Sequence, residues 1–112
     1  PLKMSVRMLH FDSPELNSKN IKERELARVA KKALETMLPK DGRVTFKCTG
    51  WDKYGSRILG DILIKHNGKL VSLNTLMIVH RYGLPFTGKE KKKEFDPSNF
   101  NNKVLSRKEL LP

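Results

Sequence analysis

The stretch FDSPEL, Phe11 to Leu16, sets the carboxylates of Asp12 and Glu15 three residues apart around Ser13 and Pro14, with Arg7 just upstream in SVRML. Pro14 fixes its own φ and biases Ser13 away from helix, so the acidic pair sits on a backbone restricted in advance. An acidic pair held this stiffly on a basic chain either starts a helix, with Asp12 as its cap, or does chemistry that needs fixed carboxylates. Both readings stand on FDSPEL alone.

The surrounding elements must hold this turn. MSVRMLHF, residues 4–11, alternates and predicts one strand that FDSPEL ends. From Ile21 the apolar residues Leu26, Val29, Ala30, Ala33, Leu34, Met37 and Leu38 recur at three and four, an amphipathic helix. Asn20 and Glu23 have capping-box spacing at its start, and Pro39 with Asp41-Gly42 stops it. RVTFKC and RILGDILI predict two strands joined through GWDKYGS, the second apolar on both faces apart from Gly60 and Asp61. Asn67-Gly68 marks a hairpin whose short returning strand is KLV. SLNTLMIVHRYG predicts a second helix, capped by Ser72 and stopped by Gly83. The burial expected for this packing centres on Leu34 and Ile62. Beyond Gly83 the sequence has no sustained period, although Ser106 and Glu109 have capping-box spacing for a last helical turn. Residues 1–95 read as one domain and residues 96–112 as an irregular tail with a short helix.

With 112 residues the chain can build one domain with a modest core. It is 38% hydrophobic and 31% charged, with a net charge of +11 and a pI near 10. The positive charge spreads over IKERELARVAKK, RVTFK and TGKEKKKEF, which favours a polyanion, nucleic acid first, as partner. No run approaches the ~18 apolar residues of a spanning helix, and PLKMSVRML does not read as a signal peptide. Together with the single cysteine, this points to an intracellular protein. Cys48, in an alternating run, is expected to be a small buried hydrophobe. His10, His66 and His80 have no spacing that suggests a metal site.

Three segments in matching order resemble the staphylococcal nuclease-like (thermonuclease) family: VRMLHFDSPE, an arginine-bearing strand leading into D-[TS]-P-E; DKYGSRILGDILI; and NGKLVSLNTLMIVHRYGL, a hairpin and helix. The resemblance covers about the first ninety residues. It implies an α+β fold, an OB-fold β-barrel with packed helices, and sequence-nonspecific hydrolysis of DNA or RNA phosphodiesters with Ca2+. Carried over by position, Asp12 and the backbone carbonyl of Ser13 would be metal ligands, and Glu15 the general base or water-orienting group. Arg7 and Arg57 would bind phosphate. Tyr54, beside Lys53, would pack on a base or sugar, and Lys89, Lys91, Lys92 and Lys93 would contact phosphates without reading sequence. Such hydrolysis needs a cation to polarise phosphoryl oxygens, a positioned water and fixed positive charge where negative charge accumulates.

Two features depart from the family. Its N-terminal hairpin, with a D-G-D-T-like segment that supplies another metal-binding aspartate, has no counterpart in PLKMSVR. The resemblance therefore implies that an upstream segment or another chain completes the barrel. Ser56 is an extra residue between Gly55 and Arg57, which shifts Arg57 or is absorbed as a bulge. The alternative function is a non-catalytic nucleic-acid-binding or scaffold module with the same fold, within a larger viral or ribonucleoprotein assembly. A third class is a small basic ribosome- or capsid-associated protein.

Overall fold

The computed structural model of the chain describes residues 6–8, 11–51, 57–86 and 94–112, with Val6 and Arg7 described by their backbone only. In chain order the elements are β1 (Val6–Met8), β2 (Phe11–Asp12), α1 (Ile21–Met37), β3 (Thr45–Trp51), β4 (Ile58–His66), β5 (Lys69–Ser72), α2 (Leu73–Val79) and β6 (Leu84–Pro85). A 3-10 turn at Pro97–Asn99 and α3 (Arg107–Leu110) complete an α+β fold.

β4 is the spine. β3 pairs antiparallel along one edge, from Thr45 opposite Leu63 to Trp51 opposite Ile58, with a bulge between Cys48 and Gly50. The other edge is shared: β1 runs parallel beside Ile58–Gly60, and β5 runs antiparallel beside Leu63–His66. The β4–β5 turn is the Asn-Gly pair expected from sequence, with φ of 52° at Asn67 and 77° at Gly68. These are the positive dihedrals that a tight hairpin with right-handed strand twist requires.

Between the end of β1 and the start of β5, the β4 edge has no strand beside Asp61 and Ile62. Asn74 fills the gap. Its side-chain Oδ1 accepts from Ile62 N–H at 3.2 Å, and its Nδ2 donates to Gly60 C=O at 3.1 Å. A primary amide presents one acceptor and two donors, so it can stand in for the peptide group of a missing strand. Asn74 is 5% exposed, the single buried polar residue among the described ones. Gly60 has an equally specific reason, because a Cβ there would lie 2.4 Å from the Phe46 ring and 2.5 Å from Lys47 O.

The core lies where α1, α2 and the 105–111 segment meet the sheet. It contains Ala30, Ala33, Met37, Ile64, Leu73, Leu76, Met77, Tyr82, Leu110 and Leu111. The helical stripe is thus rotated from its expected centre: Ala33 and Met37 are fully buried, whereas Leu34 and Ile62 are half-buried against the cluster. Small Ala30 and Ala33 on the central line let α1 approach its neighbours closely, and Leu34 falls on the flank. Cys48, expected inside, is exposed on β3. Alternation places it on the same side of the sheet as Phe46, but no helix covers that end of the strand.

MSVRMLHF gives two strands where the pattern predicts one. β1 stops at Met8, and Phe11–Asp12 pairs instead with Leu84–Pro85 in a separate two-stranded sheet. The second helix also ends early. Arg81, not Gly83, takes the positive φ (64°), and Arg81 N–H bonds Ile78 O while Tyr82 N–H bonds Met77 O. This is the double-bonded helix end usually built on glycine, held here in part by the Arg81 guanidinium donating to Ser98 O at 2.8 Å.

The segment 94–112 packs into the same core. Tyr82 is buried; its hydroxyl donates to Lys103 O at 2.6 Å and accepts from Leu105 N–H at 3.3 Å. Burial pushes its phenol pKa above the ordinary value. His80 Nε2 meets Leu110 O at 2.8 Å, and α3 begins with the capping box expected from Ser106 and Glu109.

Two substitutions probe this arrangement by urea unfolding. Asn74→Leu leaves Gly60 C=O and Ile62 N–H without their partner at a nearly constant volume and should cost about 2–4 kcal/mol. Met37→Ala should cost about 2–5 kcal/mol and Leu34→Ala clearly less; the reverse order would contradict the observed rotation of the helix.

Candidate functional site

The FDSPEL turn is held from two directions. On one side, β2 rests on β6 through a contact that depends on Gly83: a Cβ there would lie 2.4 Å from Phe11 Cδ2 and 3.3 Å from Asp12 O. On the other side, the first turn of α1 grips the turn. Asn20 caps the helix, its Oδ1 accepting from the N–H groups of Lys22 and Glu23 at 2.9 and 3.2 Å. Glu23 does not close the expected box back onto Asn20. Its Oε2 accepts from Glu15 N–H at 3.0 Å and its Oε1 from Ser18 Oγ at 2.7 Å. The cap glutamate is thereby spent on fixing the backbone of the acidic turn.

This turn forms one wall of a cleft of about 210 Å3, lined by Asp12, Ser13, Pro14, Glu15, Glu23, Leu84, Glu94, Phe95 and Phe100. The structure therefore brings Asp12, Ser13 and Glu15 to one concavity. The opposite wall comes from 94–100, where Asp96 caps the 3-10 turn by accepting from Ser98 N–H at 3.0 Å and Ser98 Oγ at 2.8 Å. Those bonds lower the Asp96 pKa. The turn folds Phe95 onto Phe100, with ring centroids 5.7 Å apart and planes 16° from parallel.

The arginine positions lie on neighbouring strands. Arg7 takes the register position opposite Leu59, and Arg57 precedes β4 by one residue. Arg57 is half-buried and does not line the cleft. Lys53, Tyr54, Lys89, Lys91, Lys92 and Lys93 lie outside the described residues, as does the side chain of Arg7.

Glu23, Glu94, Phe95 and Phe100 were not singled out from sequence as site residues. A signal for the last two exists: D-P-S-N is a tight-turn sequence, and an aromatic on each side of it makes the two rings neighbours. Glu23 was visible only as a helix cap.

Among the described residues, no three histidine, cysteine, aspartate or glutamate side chains converge as a metal-binding group. No helix there is long and apolar enough to cross a membrane. Compared with protein-family models, with curated proteins and with solved structures, the chain matches none.

Gly83 offers a direct test of how the turn is positioned. Gly83→Ala must push Phe11 and β2 away from β6, an overpacking that should cost about 1–3 kcal/mol in thermal or urea unfolding. Gly42→Ala serves as the control, since nothing lies within 4 Å of a Cβ there and only its positive φ opposes the change.

Proposed function

We propose that the chain is a staphylococcal nuclease-like, OB-type domain that binds nucleic acid without sequence preference and, with a complete metal site, hydrolyses phosphodiesters. The observation that carries this reading is the gathering of Asp12, Ser13 and Glu15 at one cleft in a chain of net charge +11. Support for the OB-type fold comes from the bulged β3, the long shared spine β4, and two strands dividing one edge of it. The exposed β3 edge, with Trp51 61% exposed, is where a further strand from upstream or from another chain would complete the barrel.

The roles follow from chemistry. Glu15, held through its own N–H by Glu23, is the group to take a proton from an attacking water, since a carboxylate fixed within hydrogen-bond reach is what general-base catalysis requires. Arg7 and Arg57 would meet the phosphate, whose oxygens a planar guanidinium matches with two parallel donors. The lysines of KEKKK add sequence-independent attraction.

Ca2+ fits this site only in part. Asp12 and the Ser13 carbonyl are hard oxygens of the right kind, but calcium takes about six to eight of them, and the described residues do not assemble a third carboxylate beside them. Bound calcium would polarise a phosphoryl oxygen; holding it needs a ligand beyond those described. That shortfall favours the second reading, a binding module without catalysis, for the chain as it stands.

Two measurements decide between these readings. Affinity for labelled DNA should fall steeply as salt rises, through release of condensed counterions; a flat response would remove nucleic acid as the partner. Cleavage of single-stranded DNA should need Ca2+, stop with chelator, and drop by several orders of magnitude in Glu15→Gln, with folding intact. Salt-dependent binding without Ca2+-dependent cleavage would leave the module.

A further inference from the structure

The cleft differs from the rest of the molecule in sign and in shape. Four carboxylates line it, those of Asp12, Glu15, Glu23 and Glu94, whereas the chain as a whole carries +11. A phosphate backbone drawn in by the general charge is therefore repelled at the floor of this cleft. Something attached to that backbone, but not itself anionic, is what it can admit.

Size narrows the choice. Pockets that take drug-sized molecules run from roughly 300 to 1,000 Å3, and at about 210 Å3 this cleft suits a single ring system. Its surface is divided in kind. Pro14, Leu84, Phe95 and Phe100 supply an apolar, partly aromatic lining, and the two phenyl rings lie nearly parallel, 16° apart, both half-buried. A flat aromatic surface of this sort stacks nucleobases at about 1–3 kcal/mol each, whichever base is offered. The carboxylates supply acceptors only. Because no three of them converge on one point, they suit donors spread along the edge of a planar ring better than a compact cation.

We infer that the cleft between the FDSPEL turn and residues 94–100 binds one unpaired nucleobase, stacked at the Phe95–Phe100 pair, and selects bases carrying an exocyclic amino group. The inference rests on the nucleic-acid reading above and adds a substrate preference to it. Cytosine and adenine offer an amino donor where thymine offers a carbonyl acceptor. A thymine or uracil O4 facing carboxylate oxygens is repelled, whereas a cytosine N4–H2 is bonded. Backbone attraction then remains sequence-blind, and the discrimination arises at this one base.

The test uses the full chain in chelator, so that no strand is cut, and measures anisotropy of labelled oligodeoxycytidine and oligodeoxythymidine of equal length. The cytosine oligomer should bind about tenfold more tightly, the ratio expected if one charge-assisted hydrogen bond distinguishes the two. Glu94→Gln restores a donor to the wall and should shrink the ratio severalfold without unfolding the protein, since Glu94 is exposed. Phe95→Leu keeps an apolar side chain but removes the ring, and should weaken both oligomers. Circular dichroism checks that each variant is folded. Equal affinity for the two oligomers, or a ratio untouched by Glu94→Gln, overturns the base-selective cleft while leaving salt-dependent binding in place. Failure of either oligomer to bind at low salt would overturn the nucleic-acid reading itself, and the cleft assignment with it.

Discussion

The fold turns on a side-chain amide acting as backbone. β4 receives β1 on one half of an edge and β5 on the other, and the two cannot meet, because β1 runs parallel and β5 antiparallel to it. The Asn74 amide closes the gap by bonding Gly60 O and Ile62 N–H. Neither aspartate nor leucine could do the same, since the position needs a donor and an acceptor on one planar group. Asn74 belongs to α2, so the bond also fixes where that helix sits against the sheet. With α2 in place, the chain emerges at Tyr82 and Gly83 in position to lay β6 against β2.

From that point the site is assembled by contacts that are individually ordinary. The Gly83 backbone seats the Phe11 ring, Glu23 holds Glu15 N–H and Ser18 Oγ, and Asp96 folds the segment that carries Phe95 and Phe100. Three parts of the chain, remote in sequence, contribute to one cleft. The acidic turn therefore has both of the roles its sequence allows. It leads toward α1, whose cap is Asn20 and not Asp12, and it presents Asp12 and Glu15 to the concavity.

Local chemistry made much of this legible. The Asn67-Gly68 hairpin, the Asn20 cap, the Ser72 cap and the Ser106–Glu109 box all depend on residues close in sequence, and all are present. What sequence did not convey depends on distant partners. Which face of α1 is innermost is decided by how closely α2 and α3 approach it, so Met37 and Ala33 displace Leu34 from the centre. Cys48 follows an alternation that is correct for a strand, yet burial requires something to cover the strand. Glu23 looks like a box residue until Ser18 and Glu15 compete for its oxygens. The early end of α2 is a contest of the same kind, in which a hydrogen bond from Arg81 to Ser98 outweighs the usual preference for glycine.

Leu110 and Leu111, only 1% and 5% exposed, complete the core around α1. On a ribosome these residues appear roughly seventy residues after the helix, a delay of about 4–14 s at ordinary synthesis rates of about 5–20 residues per second. Throughout that interval the apolar stripe of α1 has formed but has nothing to close over it. The nascent chain therefore carries an exposed hydrophobic helix until its final segment arrives, which makes it a client for chaperones that hold such surfaces and ties completion of the fold to completion of this stretch of the chain.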